Sequence, residues 1–540
     1  MADLPIITHE YIMIGQGNAE NIDANLGKYI LESMKAYTDI FLVHAETGES
    51  VTYGVILKHV ASLAESLKSM GVKPNDVIGI CSENRLEYIE PILAILSLGA
   101  TVVTLNPLYT TDELKHVLSI SRASILFCSP FTAPKLKSVQ RSLSFIKEII
   151  FFDDGTPVDG FTRYTQLLKK NVDVNSFRCV DLNPRKSVAV ILCSSGTTGL
   201  PKCVELTHTN IMCFMKSPSS SRYAMVGEEG RPSVLGLIPF FHGYGFCVLL
   251  LAAAQNTRVI VMSKFDEKLF LSSIEKYRIS LLCIVPPLVV FLAKHPLVDK
   301  YDLSSLKRIV SGAAPLSKDV QKAAQERLRL QCDINQGYGM TELSVSTTKF
   351  PENRSRIGSV GVVVSGMECK IIDPETGKAL PPFKEGELCF RGPYVMKGYK
   401  NNPKATAETI DSEGWLHTGD IGYYDEEGFL FIVDRLKELI KYKGFQVAPA
   451  ELEALLLTNP KIKDAGVVGL PDEEAGELPM AFVVKQPNVD LTESEVKNFV
   501  ARKVSPQKRL HVVRIVDEVP KNPSGKILRR ELRKMIKSKL

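Results

Sequence analysis

Several features that would point to metal binding or membrane insertion are missing from this sequence. Its 11 cysteines form no CxxC pair and no cluster with histidine at zinc-ligand spacing, so we expect free thiols in a reducing compartment. The longest apolar stretch, near Phe246–Ala254, is far shorter than the ~20 residues that span a bilayer. The opening residues lack the basic and then apolar segments of a secretory signal. We therefore expect no transmembrane segment.

Internal repeats, low-complexity tracts and a spread-out excess of charge are also missing. Hydrophobic residues make up 45% of the chain and charged residues 24%, which excludes a disordered or fibrous protein. The net charge of +5 comes from the segment Lys526–Leu540, which contributes +6, so the remainder sums to about −1. A solvated terminal helix explains this basic segment better than a nucleic-acid or membrane patch does. The length of 540 residues predicts more than one domain.

Short runs rich in β-branched residues recur between helical segments such as Leu86–Ser97. These runs are continuous rather than alternating, as expected for strands buried on both faces of a largely parallel sheet. The pattern predicts a large α/β body. The predicted strands are Val77–Cys81, Thr101–Leu105, Ile125–Cys128, Ile149–Phe152, Ser187–Leu192 and Leu281–Val285.

The composition changes in the last third of the chain. The segment from about Gly358 to Tyr424 is rich in glycine, proline and strand-like pieces such as Glu387–Arg391, which predicts a β-barrel-like unit at about 345–434. The remainder has the pattern of a small α+β domain, in which Thr492 and Glu495 form a capping box. The predicted organisation is an N-terminal domain over 1–434, a hinge at 435–437 and a C-terminal domain over 438–540.

A polar segment containing glycine follows directly from the apolar strand Val188–Cys193. Such a segment suits a polyphosphate, because the backbone can approach closely, N–H and O–H groups can donate, and a lysine neutralises charge. It is not a Walker loop, since Cys203 follows Lys202 and the glycine spacing differs. The predicted phosphate-binding residues are Ser194, Ser195, Gly196, Thr197, Thr198, Gly199 and Lys202.

The segment Ser194–Lys202 resembles the phosphate loop of the adenylate-forming superfamily, which includes acyl-CoA synthetases, 4-coumarate–CoA ligases and beetle luciferases. The similarity covers nearly the whole chain, because further segments follow in the order of the family. They are Pro239–Gly243, Ser311–Pro315, Gln336–Glu342, Gly386–Leu388, Gly414–Asp420, Asp434–Lys437 and Pro520–Lys526. The resemblance implies that ATP, with Mg²⁺, activates a carboxylic acid as an acyl-adenylate, and that coenzyme A then accepts the acyl group.

This chemistry needs positive charge and a dry site, because a carboxylate attacks the α-phosphate while pyrophosphate leaves. The resemblance implies that Lys526 contacts the carboxylate and the phosphate, that Glu342 holds Mg²⁺ and that Thr341 hydrogen bonds to phosphate. It also implies that Asp420 and Arg435 contact the ribose. The other implied nucleotide-binding residues are Gly312, Ala313, Ala314, Gln336, Gly337, Tyr338 and Gly339.

Two of the implied roles compete with a structural alternative. Tyr338 either stacks on the adenine or packs in the core, and His242 either borders the acyl pocket and the thiol channel or is a structural histidine. The resemblance further implies that Lys437 is the hinge of a mobile C-terminal domain. Rotation of this domain would bring Lys441 into the site in place of Lys526 for the second half-reaction.

The implied pocket wall consists of Phe214, Phe241 and Tyr244. Beetle luciferases carry an arginine at the position of Phe214, and an apolar residue there favours a hydrophobic tail over a charged heterocycle. We therefore expect a medium- or long-chain fatty acyl-CoA synthetase, with a luciferin monooxygenase and a 4-coumarate-type ligase as the alternatives. Amino-acid activation is disfavoured, because no aspartate accompanies Phe240 to pair an ammonium group.

The tripeptide Ser538-Lys539-Leu540 matches the signal that the peroxisomal import receptor reads. We accordingly expect peroxisomal localisation, with this receptor as a partner. No nucleic-acid partner is expected.

Overall fold

The computed structural model describes residues 4–17, 22–153, 160–168, 172–194, 200–217, 231–328, 334–351, 354–443, 445–522 and 525–537. Within these ranges the chain is an α/β protein with several sheets, as predicted. None of the helices in these ranges is both long enough and apolar enough to span a membrane.

An eight-stranded sheet forms one half of the N-terminal body. Every residue of its central strands Val77–Cys81 and Thr101–Leu105 is buried, because helices cover the parallel part of the sheet. The predicted helix Leu86–Ser97 is divided into a 3-10 turn, Leu86–Tyr88, and an α-helix, Ile89–Ser97. The sheet order is Gly398–Tyr399, Lys202–Thr207, Val188–Ser194, Thr101–Leu105, Val77–Cys81, Ile125–Cys128, Glu148–Phe151 and Thr162–Arg163.

A seven-stranded sheet forms the other half, and its strands are parallel except for the hairpin at one edge. The strands Arg308–Ser311 and Ile334–Gln336 run directly into Gly312 and Gly337. This places the motif residues at the carboxyl edge of a parallel sheet, where α/β proteins bind ligands. The sheet order is Ile334–Gln336, Arg308–Ser311, Leu281–Ile284, Ser233–Gly236, Arg258–Val261, Ile40–His44 and Ser50–Thr52.

The predicted β-rich unit contains a six-stranded antiparallel sheet, with the small sheet Thr348–Lys349 and Val362–Val363 beside it. The prediction of a barrel-like unit is corrected, because in the described residues the sheet is open, with Ile6–Ile7 and Leu430–Arg435 at its edges. Two strands of this sheet, Ile6–Ile7 and Ile12–Ile14, come from the start of the chain. The sheet order is Ile6–Ile7, Ile12–Ile14, Glu368–Ile372, Gly386–Arg391, Leu416–Tyr424 and Leu430–Arg435.

The C-terminal part has its own mixed sheet and is α+β. Its helices are Pro449–Leu457, Glu493–Ala501 and Arg529–Lys537, and Thr492 and Glu495 form the predicted capping box. The domain boundaries given above stay predictions. The sheet order is Phe445–Val447, Ile440–Tyr442, Gly476–Lys485 and Ile462–Asp472, with Val512–Ile515 paired to Gly476–Lys485.

The largest hydrophobic core lies between the two sheets of the N-terminal body. The helix Gly243–Ala254 crosses this core and is apolar on all sides, so most of its residues are buried. The remaining α-helices are Leu26–Met34, Tyr53–Ser69, Thr111–Ser121, Ala133–Ser142, Tyr164–Leu167, His208–Lys216, Glu267–Tyr277, Pro286–Lys294, Lys318–Leu328 and Pro403–Thr409. The remaining 3-10 turns are Pro296–Lys300, Thr341–Leu343 and Pro506–Lys508.

Candidate active site

A cavity of about 1510 Å³ lies where the sheets of the N-terminal body meet the C-terminal domain. It brings together most of the residues that the sequence predicts for the site, although they are spread over more than 300 positions of the chain. The predicted residues on its wall are Ser194, Lys202, Phe214, Phe241, His242, Tyr244, Gly312, Ala313, Gln336, Gly337, Gly339, Thr341, Glu342, Arg435, Lys437 and Lys526.

Some predicted residues are placed differently. The residues Ser195, Gly196, Thr197, Thr198 and Gly199 lie outside the described residues, as do Ser538, Lys539 and Leu540. Among the described residues, Ala314, Tyr338, Asp420 and Lys441 do not belong to the cavity wall. Lys441 is exposed on the strand Ile440–Tyr442.

Asp420 and Tyr338 lie behind the wall and form a preassembled group with Arg435, which is on the wall. Strand pairing places Asp420 opposite Arg435, and the Arg435 Nε lies 3.1 Å from Asp420 Oδ1. The hydroxyl of Tyr338 donates to Asp420 Oδ2 at 2.8 Å. The Tyr338 ring stacks on Phe390, with centroids 5.9 Å apart. Tyr338 thus packs in the core and orients the carboxylate, while its stacking on adenine stays a prediction.

Lys526 reaches the cavity from the C-terminal domain, and its backbone N–H donates to Asn522 Oδ1 at 2.8 Å. Burial lowers the pKa of Lys526 to about 8, and the charge of Arg435 acts in the same direction. The ammonium group is therefore only partly hydrated, which strengthens its interaction with an anion in the cavity.

His242 is the N-cap of the helix Gly243–Ala254, and its Nδ1 accepts from the backbone N–H of Tyr244 at 3.4 Å. Burial lowers the pKa of His242 to about 4, and the positive charge of Lys526 reinforces this effect. The ring is therefore neutral near pH 7, with its proton on Nε2 because Nδ1 is the acceptor. His242 combines the structural role with a place on the cavity wall.

Glu342 is buried in the turn Thr341–Leu343, and its Oε1 accepts from the hydroxyl of Tyr399 at 2.9 Å. Burial and the charge of Glu342 raise the pKa of Tyr399 above its usual range, so that its hydroxyl stays protonated. The Lys202 Nζ lies 4.7 Å from the centroid of the Tyr399 ring. An anchored carboxylate on the cavity wall is a fitting ligand for Mg²⁺, which prefers oxygen donors.

The cavity extends along one face of the helix Gly243–Ala254. Its wall includes Tyr244, Val248, Leu251 and Ala252, which recur at the three- and four-residue spacing of a helix face. The span from Tyr244 to Ala252 corresponds to roughly 12 Å of helix. Four further wall residues from the neighbouring strands are apolar, namely Val234, Leu281, Cys283 and Val310, whereas polar groups come from Gln255, Thr257, Arg308 and Asn335.

Two parts of this site were not predicted from the sequence. Tyr399 contacts Glu342 only because the strand Gly398–Tyr399 pairs with Lys202–Thr207, a pairing that no local pattern indicates. The other helix residues on the cavity wall, Val248, Leu251 and Ala252, were not predicted either. Because the helix is apolar on every side, its sequence does not distinguish the residues that face the cavity from the residues that face the hydrophobic core.

Residues 32–400 match the family of AMP-binding enzymes, and residues 451–526 match the C-terminal domain of AMP-binding enzymes. The first match covers more than half of the chain, and the chain therefore belongs to the AMP-binding enzyme family. Its relatives include luciferases and CoA ligases, and its structural neighbours are adenylate-forming enzymes.

Three curated relatives illustrate this range. Luciferin 4-monooxygenase of Nipponoluciola cruciata is 43% identical, with 95% of each chain covered. 4-Coumarate–CoA ligase 1 of Petroselinum crispum is 41% identical, with 92% of this chain and 91% of the relative covered. Peroxisomal OPC-8:0-CoA ligase 1 of Arabidopsis thaliana is 39% identical with the same coverage.

Among solved structures, ATP-bound MatB from Rhodopseudomonas palustris matches with a TM-score of 0.85 and 25% identity, covering 95% of this chain and 99% of that one.

Proposed function

We propose that this protein is an ATP-dependent acid–CoA ligase that converts a medium- or long-chain fatty acid into acyl-AMP and then into acyl-CoA. The observation that carries the proposal is the continuity of one cavity, which joins Lys526 and Glu342 to an apolar extension beside the helix Gly243–Ala254. A carboxylate at the polar end would meet positive charge, and its hydrocarbon tail would lie against apolar side chains.

Each of the following residues would have a role in the proposed first half-reaction. Lys526 would neutralise the carboxylate and the α-phosphate as they approach, and the neutral His242 would donate from Nε2 toward the acid. Asp420 and Arg435 would hold the ribose. Mg²⁺ at Glu342 would neutralise charge on the phosphate groups when ATP is bound. Coenzyme A would then accept the acyl group and release AMP.

The acid specificity is tested by a chain-length series of saturated fatty acids beside 4-coumarate and luciferin. Each buried methylene contributes about 0.8 kcal/mol, so kcat/KM should rise about fourfold per added methylene until the apolar extension is full. Acid-dependent ATP–pyrophosphate exchange measures activation, and thioester formation measures the second step. A clear preference for 4-coumarate would contradict the fatty-acid assignment, and light emission with luciferin would favour the luciferase alternative that the relatives suggest.

Replacement of Phe214 by arginine should reduce kcat/KM for fatty acids by about tenfold or more, because a guanidinium group would be desolvated beside the tail. The matched control is Phe214→Leu, which keeps an apolar side chain on the wall and should stay within a few fold of the unmodified enzyme. Equal losses for both variants would show that the charge is not the cause.

The pH dependence of adenylation should report Lys526. Its pKa is lowered to about 8, so the cationic form is lost as the pH rises through that value. His242 has a pKa of about 4 and stays neutral over the same range. We expect kcat/KM for ATP, which reports the free enzyme, to fall above about pH 8, and Lys526→Arg to move the fall to higher pH. A fall at the same pH in Lys526→Arg would assign it to another group.

Peroxisomal localisation through Ser538-Lys539-Leu540 stays a prediction. The word peroxisomal in the name of the Arabidopsis relative supports it, and fluorescence microscopy of the protein with and without the tripeptide would test it.

A further inference from the structure

Three side chains on the paired strands Gly386–Arg391 and Leu416–Tyr424 have no role in the proposed reaction. Glu387 and Cys389 are two residues apart on the strand Gly386–Arg391, so their side chains project from the same face. Cys389 is paired in register with His417 of the neighbouring strand, which brings the imidazole to that face as well. One ligand atom from each of the three lies within 4.8 Å of the other two.

The distances within this cluster suit a shared cation. His417 Nδ1 lies 3.2 Å from Glu387 Oε2 and 3.5 Å from Cys389 Sγ, so one nitrogen faces two possible partners. A tetrahedral zinc ion with the usual bond lengths to nitrogen, oxygen and sulfur would separate these atoms by roughly 3.3–3.7 Å. These two distances are close to the zinc values, and the third separation, between the ligand atoms of Glu387 and Cys389, is within 4.8 Å, so that the three side chains could close on one ion.

The surrounding groups already orient the three side chains. His417 Nε2 lies 3.4 Å from Asp411 Oδ2, so that Nε2 would keep its proton when a cation takes Nδ1. Zinc sites commonly use such a carboxylate behind the histidine to fix the ring and its tautomer. Glu387 Oε1 accepts from the backbone N–H of Gly419 at 2.9 Å, so that Oε2, which is paired with His417 Nδ1, is the oxygen that faces the cation.

We propose that Glu387, Cys389 and His417 bind a thiophilic divalent cation of the zinc class. Glu387 and His417 both line the cavity, which gives the ion a route of entry and a fourth ligand from water. The Cys389 thiol and His417 Nδ1 each release a proton to solvent as their bonds to the metal form. Because the donors are nitrogen, oxygen and sulfur, the site selects zinc over Mg²⁺, which takes oxygen donors. It is thus distinct from the carboxylate of Glu342.

The test uses the full chain, stripped of metal and titrated with Co²⁺ as a spectroscopic substitute for Zn²⁺. We expect one equivalent to produce a thiolate-to-cobalt charge-transfer band together with the visible absorption of a tetrahedral site. Zn²⁺ should displace the Co²⁺ and abolish both signals, whereas a large excess of Mg²⁺ should leave them unchanged. If one equivalent of Co²⁺ gives no thiolate band, the proposal is wrong.

Variants then locate the ion. Cys389→Ser should abolish the charge-transfer band, and Asp411→Asn should keep the band but weaken Co²⁺ binding by roughly 10–100-fold, because the histidine loses its orienting carboxylate. The matched control is Cys369→Ser, which alters a buried cysteine of the adjacent strand and should keep both the band and the affinity. A band that survives Cys389→Ser, or disappears with Cys369→Ser instead, would overturn the assignment. Since Asp411→Asn alters a partly exposed side chain, it tests the site even if Cys389→Ser does not fold.

Discussion

Replacing Lys526 with alanine should reduce acyl-adenylate formation by roughly 10²–10³-fold, the usual effect of removing one preorganised contact to developing charge. Lys526 is suited to this role because its ammonium group is partly desolvated in the cavity, as the lowering of its pKa to about 8 indicates. The variant should still convert a supplied acyl-adenylate into the thioester. Pyrophosphate exchange and single-turnover thioester formation measure the two steps separately.

Lys441→Ala should give the opposite pattern, with exchange preserved and thioester formation slowed. Its side chain is exposed outside the cavity wall, so it can contribute only after the C-terminal domain has rotated about the proposed hinge at Lys437. The matched controls are Lys534→Ala, on the exposed face of the last helix, and Gln446→Ala, which lies opposite Lys441 in the hairpin. Both controls should keep both steps within a few fold. Equal losses in both steps for Lys526→Ala and Lys441→Ala would contradict the proposed domain rotation.

Glu342→Gln should lower the rate of adenylation by about 10²-fold and raise the Mg²⁺ concentration needed for half-maximal activity. The amide keeps the size of the side chain and an oxygen that can accept from Tyr399, so the change removes mainly the negative charge that would hold the cation. Rates measured across a Mg²⁺ series would separate this effect from a loss of folding.

The matched control for that series is Glu205→Gln, which alters a carboxylate on the strand Lys202–Thr207 that pairs with Lys400 at 3.0 Å and should leave the Mg²⁺ dependence unchanged. An unaltered Mg²⁺ dependence in Glu342→Gln would remove Glu342 as the metal ligand. In that case the contact with Tyr399 would be its main role.

The parallel core was predictable because its strands are buried on both faces and therefore appear as continuous apolar runs, as in Val77–Cys81. The capping box at Thr492 was predictable because it is a local hydrogen-bonding pattern. The six-stranded sheet was mispredicted as barrel-like, since the pairing of Ile12–Ile14 with Glu368–Ile372 joins segments that no short-range pattern connects.

The site residues were likewise predictable only where a local sequence motif marks them. Motif segments predicted Lys526, Glu342 and Arg435 as site residues, and the structure brings the three to the wall of one cavity. The cluster of Glu387, Cys389 and His417 was not predicted, because the absence of zinc-ligand spacing argued against any such group. Strand register, rather than distance along the chain, brings Cys389 and His417 together.

The helix Gly243–Ala254 packs in the main hydrophobic core and also lines the cavity. Leu251 takes part in both contacts. A smaller residue there would lengthen the space for an acyl tail, yet truncation of a buried leucine costs about 2–5 kcal/mol. That is a large share of the roughly 5–15 kcal/mol by which folded domains are stable. A lineage that acquired longer substrates through this helix would therefore have needed compensating substitutions elsewhere, so that the evolution of acid preference and of thermal tolerance in such enzymes would be coupled.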